Sequence, residues 1–162
     1  MTAQIPETLH FHGEKLSLCG CPLGSYLGLA GIQLEFRAPM TCLWRGYVGS
    51  WEIVDDRLYL IDLHGKLADG TDVNLATLFP DFPQRVFAHW YTGVLRAPRG
   101  KLLEYVHQGW GSSYEEDVFF AVRRGVVKAV KVQRNGTGAP DAPEGYGVAA
   151  TYVFGRDKGG ER

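Results

Sequence analysis

Residues 44–65 of the chain read WRGYVGSWEIVDDRLYLIDLHG, and residues 88–109, AHWYTGVLRAPRGKLLEYVHQG, carry the same pattern in looser form without a gap. Tyr47 aligns with Tyr91, Gly49 with Gly93, Arg57 with Lys101, Leu58 with Leu102 and Gly65 with Gly109, each pair 44 positions apart. Each copy has a glycine-punctuated aromatic start, a polar centre at 54–57 or 98–101, and an apolar return. Two apolar runs around a turn-forming centre are the signature of a β-hairpin. The pattern therefore predicts two related hairpins, at 44–65 and 88–109, and restricts the chain to a β-rich architecture.

The bulk properties agree with this. Twenty-one glycines, eight prolines and a 12% aromatic share suit many short strands joined by turns. At 162 residues the chain is expected to form one domain. A net charge of -1 and a pI of about 6.5 give no global field directed at nucleic acid or an anionic membrane. The start, MTAQIPETLHFHG, lacks the basic and then apolar run of a secretory signal, and no apolar stretch is long enough to span a bilayer, so a soluble cytoplasmic protein is expected. Cys19, Cys21 and Cys42 are an odd number of cysteines, which fits reduced thiols better than a disulfide framework.

Along the chain, 9–18 reads as a small hairpin turning at Gly13 and Glu14, since glycine supplies the positive φ such turns need. Pro22 suits the first turn of a short helix over 21–30, with Leu23 and Leu27 on one side. Alternation makes 32–36 a strand. In the first copy it places Arg45, Tyr47, Gly49, Trp51 and Ile53 on one face, with Trp44, Val48 and Glu52 on the other. The return strand sets Leu58 and Leu60 opposite Tyr59, Ile61 and Leu63. One helical turn is expected at 75–79, ending before Pro80. A further hairpin, 118–122 with 126–132, turns around Arg123, Arg124 and Gly125. The expected fold is mainly β: one domain over 1–135, built of consecutive antiparallel hairpins forming a barrel or strongly curved sheet with one or two short helices. Residues 136–162 are expected to be a flexible Gly/Pro-rich segment with one edge strand at 149–154.

Several residue sets could carry chemistry. Arg45, Tyr47, His89 and Tyr91 occupy equivalent positions in the two copies; with Tyr105 and His107 they would line a ligand pocket if the hairpins were neighbours. There Arg would hold an anion, His would move a proton near neutral pH, and Tyr would stack or hydrogen-bond. The simpler account puts these tips on the rim, bonded to backbone. In 110–117, WGSSYEED, Ser112 and Ser113 lie near His107 and Glu115 but match no nucleophile elbow, so catalysis rests only on His89, His107 and Glu115 as candidates. His10, His12, Cys19, Cys21 and Cys42 are metal-ligand types, yet C-x-C is not the spacing of ordinary zinc knuckles; neither a metal nor a cofactor is expected. Arg123, Arg124, Lys128, Lys131 and Arg134 make one hairpin basic, but the cluster is split between faces and follows an acidic run, so nucleic acid is not the expected partner. Phosphate-loop and dinucleotide fingerprints are absent.

The stretches LWRGYVGSWEIVDDRLYL and FAHWYTGVLRAPRGKLLEYVHQG together resemble a family of small, uncharacterised bacterial proteins, over about residues 9–133. The resemblance implies a bacterial source and assigns no activity. With four tryptophans and eight tyrosines, the favoured reading is a non-catalytic bacterial binding protein of the immunity, inhibitor or accessory type, meeting another bacterial protein through Trp44, Trp90 and Trp110. The alternative is an enzyme or small-molecule binder using the His/Tyr/Arg pocket.

Overall fold

The computed structural model describes residues 3–32 and 34–144. In chain order the elements are β1 (Glu7–Phe11), β2 (Glu14–Leu18), α1 (Pro22–Leu29), β3 (Tyr47–Val54) and β4 (Arg57–Lys66). They are followed by β5 (Asp72–Val73), α2 (Leu75–Leu78), β6 (Val86–Phe87), β7 (Gly93–Glu104), β8 (Ser113–Arg123) and β9 (Val126–Arg134).

Three two-residue turns fix the hairpins. His12 and Gly13 (φ 49° and 77°), Asp55 and Asp56 (50° and 58°), and Arg124 and Gly125 (48° and 81°) have positive φ at both central positions. That is the pattern of type I′ turns, whose twist matches the strands they join. Gly125 cannot be replaced without a shift: a Cβ there would lie 2.7 Å from the Ala88 carbonyl oxygen and 2.7 Å from the Phe87 ring. The first turn falls one residue earlier than expected, at His12 and Gly13.

The strands form one mixed sheet in the order β2-β1-β3-β4-β9-β8-β7, with β5 and β6 paired to β4. β1 runs parallel to β3, while the other strand pairs are antiparallel. The inward faces supply Leu9, Leu18, Trp51, Leu58, Leu60, Leu95 and Phe120, all fully withdrawn from water, and α1 adds Leu23. Pro22 opens α1 as expected, and Asn74 caps α2 by accepting from Thr77 N at 3.0 Å. Among the described residues no helix is long and apolar enough to cross a membrane.

The sheet is not closed into a barrel. β4 and β9 share a single pair, Arg57 with Val126, because β6 and β5 occupy that side of β4 at Tyr59–Leu60 and Gly65–Lys66. At the far end, β2 and β7 approach through one bridge just past β2, Cys19 N donating to Arg96 O at 2.9 Å.

Other expectations are corrected. Residues 88–109 do not form a hairpin: β7 runs unbroken through 98–101, paired to β8. Pro98 sits inside this strand opposite Asp117, and Gly100 (φ 88°) belongs to a bulge between Arg99 and Leu102 rather than to a turn. A second bulge, at Ile61, turns Leu63 onto the same buried face as Leu60, opposite to the expected alternation. The described residues of 32–36 form no strand; Phe36 makes one isolated bridge with Leu67. Residues 136–144 are fastened to β7 rather than loose: Leu102 N donates to Pro143 O at 2.8 Å and Lys101 Nζ to Pro140 O at 2.9 Å. The edge strand expected at 149–154 lies outside the described residues.

Candidate functional site

A buried polar cluster sits inside one end of the sheet, around Glu7. Alternation along β1 turns Glu7 to the same face as Leu9, and its carboxylate is completely buried. Gly49 makes room for it, since a Cβ there would stand 2.9 Å from Glu7 Oε1 and 2.9 Å from Trp51 Nε1. Three donors then reach the carboxylate: Gly49 N, Trp51 Nε1 at 3.1 Å and Arg45 Nη2 at 3.2 Å. Arg45 Nη1 also donates to Ile5 O at 2.9 Å, and its guanidinium lies 5.8 Å from the centre of each of the Tyr47 and Trp110 rings.

Burial dominates the titration of this cluster. It raises the Glu7 pKa, opposed in turn by Arg45, the Gly49 N–H and the Trp51 indole. Burial pushes the Cys21 thiol up to about 11, against the attraction of Arg45 and with the help of Glu7. The Tyr47 phenol is raised by burial and then by the negative ends of Cys21 and Glu7. A neutral thiol and a neutral phenol beside a paired carboxylate provide no nucleophile near neutral pH.

A second polar knot holds the neighbouring loop. Arg96 Nε contacts Asp117 Oδ1 at 2.8 Å, while its Nη1 and Nη2 donate to Trp110 O at 2.8 Å and Ser112 O at 2.9 Å. Asn135 Nδ2 completes it, donating at 3.0 Å to Asp117 Oδ2. Cys19 lies beside this knot, its thiol pushed up to about 12 by burial; Arg96 opposes the shift, and Asp117 and Cys21 add to it.

The residues expected to form a pocket do not come together. Arg45 and Tyr47 share a face as expected, within the Glu7 cluster. Exposed His89 sits edge-on to Trp90, with ring centres 5.5 Å apart, and has no hydrogen bond, ion pair or ring contact with Arg45 or Tyr47. Tyr91 lies against the β8–β9 turn, its carbonyl accepting from Gly125 N at 2.8 Å. Tyr105 and His107 bond to each other, Oη to Nδ1 at 2.7 Å. Glu115, a catalytic candidate, is a fastener: it accepts from Lys101 N at 2.8 Å and Gly138 N at 2.9 Å, which lowers its pKa. Ser112 is buried and its hydroxyl accepts from Val106 N at 2.9 Å. Among the described residues, no three His, Cys, Asp or Glu side chains group as metal ligands.

The three tryptophans expected at an interface also separate. Trp90 is a structural anchor, its Nε1 donating to Pro22 O at 2.8 Å and its ring packed on Tyr26 and Phe79. Trp110 is half-buried over Arg45 and packs with Tyr114. Trp44 stands 52% exposed, next to Arg45 in the chain. Its loop is tightly held: Trp44 N donates to Gln4 Oε1 at 3.0 Å, Gln4 Nε2 to Thr41 O at 2.9 Å, and Ile5 N to Cys42 O at 2.8 Å. Met40, on the same loop, is also exposed.

Sequence reasoning missed Glu7, Arg96 and Asp117. The signal for Glu7 was present in ETLHF, where it shares alternation parity with Leu9 and Phe11. Comparison of the chain with protein-family models, curated proteins and solved structures finds no match.

Proposed function

We propose that this is a non-catalytic binding protein, of the immunity, inhibitor or accessory kind, that acts in the bacterial cytoplasm and grips another protein through its Trp44 end. One observation carries the reading: Trp44 presents more than half of its surface to solvent while its own N–H is held by Gln4, the Arg45 side chain is held by Ile5 O, and Gly46 N closes a turn on Leu43 O. An exposed aromatic on a preorganised loop loses little entropy on docking, and tryptophan is among the residues that dominate interface energies. The Glu7–Arg45 pair then serves to fix the loop. The test is purification from the native host. Wild type should retain a second polypeptide at fixed stoichiometry, and Trp44→Ala should lose it with an unchanged melting temperature. Retention of the same polypeptide by a folded Trp44→Ala protein would sink the reading.

One observation favours a second reading, a small acceptor-bearing ligand at the same end. The buried Arg45 Nε and Trp110 Nε1 have no acceptor among the described residues, and both groups can only donate. A discrete adduct in native mass spectrometry, lost on Trp110→Phe, would support it.

A further inference from the structure

We propose that the open side of β9, residues 128–134, is a docking edge for an extended acidic segment of a partner protein, which joins the sheet as an additional strand. β8 pairs with β9 along its whole length, from Arg123 opposite Val126 to Glu116 opposite Arg134. On the other side β4 reaches only Val126. Every side chain from Lys128 to Arg134 is exposed, and none forms an ion pair among the described residues. Among the described residues no backbone partner meets this side of 128–134, and an unpaired row of backbone donors and acceptors is a template for strand addition.

Side-chain chemistry selects the occupant. Val130 and Val132 pair with the buried Phe120 and Val118, so they lie on the sheet's inward, apolar face, yet each is 46% exposed, β4 pairing with β9 only at Val126. Lys131, opposite Phe119, lies on the other face; Arg134, opposite Glu116, falls on the valine parity at the end of the strand, and Lys128 is the extra residue of the bulge between Val127 and Ala129. A strand that fits this edge has apolar residues at one parity, to cover the two valines, and carboxylates at the other, to meet Lys131 at the centre, with Lys128 and Arg134 adding positive charge at the two ends. A second copy of β9 would bring lysines against lysines, which is destabilising in cross-strand pairs. Nucleic acid would meet the charges but use neither the valines nor the strand's hydrogen-bonding edge. This edge shares no residue with the Trp44 end, so the two proposals fail independently.

The test uses the isotope-labelled full chain, titrated with a short synthetic peptide alternating valine and glutamate and followed by NMR. Amide shifts should concentrate in 128–134, and the peptide with lysine in place of glutamate should not bind. Lys131→Glu and Val130→Lys alter exposed side chains, so the fold should survive, as circular dichroism will check; each should weaken binding about fivefold or more. Five results would overturn the proposal. Four are shifts outside 128–134, or none; equal binding of the lysine peptide; concentration-dependent shifts at 128–134 without peptide, which assign the edge to a second copy; and a single-stranded oligonucleotide shifting these amides where the peptide does not. A fifth is edge amides already protected from exchange in the full chain and exposed when the chain ends at Glu144, which assigns the edge to the protein's own C-terminal residues.

Discussion

Glu7 and Arg45 face each other at 3.2 Å, with the carboxylate wholly buried and the guanidinium only partly so. The pair ties β1 to the loop entering β3, across 38 residues of chain. Removing one member of such a pair leaves the other uncompensated. Glu7→Ala strands Arg45, the Gly49 N–H and the Trp51 indole together, and should cost about 3–5 kcal/mol. Replacing both partners, as Glu7→Leu with Arg45→Met, should recover the part of that loss due to the stranded guanidinium, because an apolar pair avoids its desolvation penalty, while the Gly49 N–H and the Trp51 indole stay without an acceptor. Urea unfolding of both single variants and the double variant measures the coupling. Additive losses would show that the two residues act independently.

Two half-buried thiols make stability fall in alkaline solution. Cys19 and Cys21 titrate at about 12 and about 11 in the folded chain, against an ordinary value of 9.0. Above the ordinary value the unfolded chain releases thiol protons that the folded chain keeps. The unfolded state then binds fewer protons, so the free energy of unfolding decreases as pH rises. The contribution is complete below pH 9.0 and is lost as pH climbs through the folded values. Denaturant midpoints measured from neutral to alkaline pH should decline, and Cys19→Ala with Cys21→Ala should flatten the decline. At neutral pH, iodoacetamide should modify both cysteines far faster in the unfolded protein than in the folded one.

Much of this fold follows from local pattern. Alternation from Tyr47 to Ile53 assigns the buried face of β3 correctly, because side chains two apart on a strand must point the same way. Arg124 and Gly125 turn where expected, and Pro22 opens a helix. The second half of the apparent repeat misleads because Pro98 and Gly100 suit a bulge in a paired strand as well as a turn, and only pairing with β8 decides between them. Glu7 was invisible as a buried carboxylate because the groups that satisfy it, Arg45, Gly49 and Trp51, are distant in sequence. The same limit applies to the pocket: Arg45 and Tyr47 are neighbours by strand geometry, whereas adding His89, Tyr91, Tyr105 and His107 required two hairpins to lie side by side, and one of those hairpins does not form.

Trp90 and Trp44 should respond in opposite ways to truncation. Trp90→Phe keeps the ring packed on Tyr26 and Phe79 but removes the bond to Pro22 O, for a loss of about 1 kcal/mol. Trp90→Ala also opens a cavity and should cost about 3–5 kcal/mol. Trp44→Ala, at an exposed site, should change stability by less than about 0.5 kcal/mol. Thermal melts of the three variants separate the structural tryptophan from the one available to a partner. A large loss at Trp44 would move it into the structural class.

Glu115 works as an acid-sensitive latch on the segment that follows β9. Its carboxylate accepts the backbone N–H of Lys101 and of Gly138, and these bonds lower its pKa below the ordinary 4.5. A carboxylate with a lowered folded pKa contributes stability that is present above the unfolded value and lost as pH falls through the folded one. Here the contribution is local, because the group lies on the surface and holds one strap rather than the core. Glu115→Ala should therefore speed amide exchange at Lys101 and Gly138 while leaving the amides of Leu60 and Phe120, deep in the sheet, at their wild-type rates. Wild type acidified well below pH 4.5, through the lowered folded value, should show the same selective loosening, and Glu115→Ala should show no further change there. Uniform acceleration across the sheet would mean that the strap supports the whole fold.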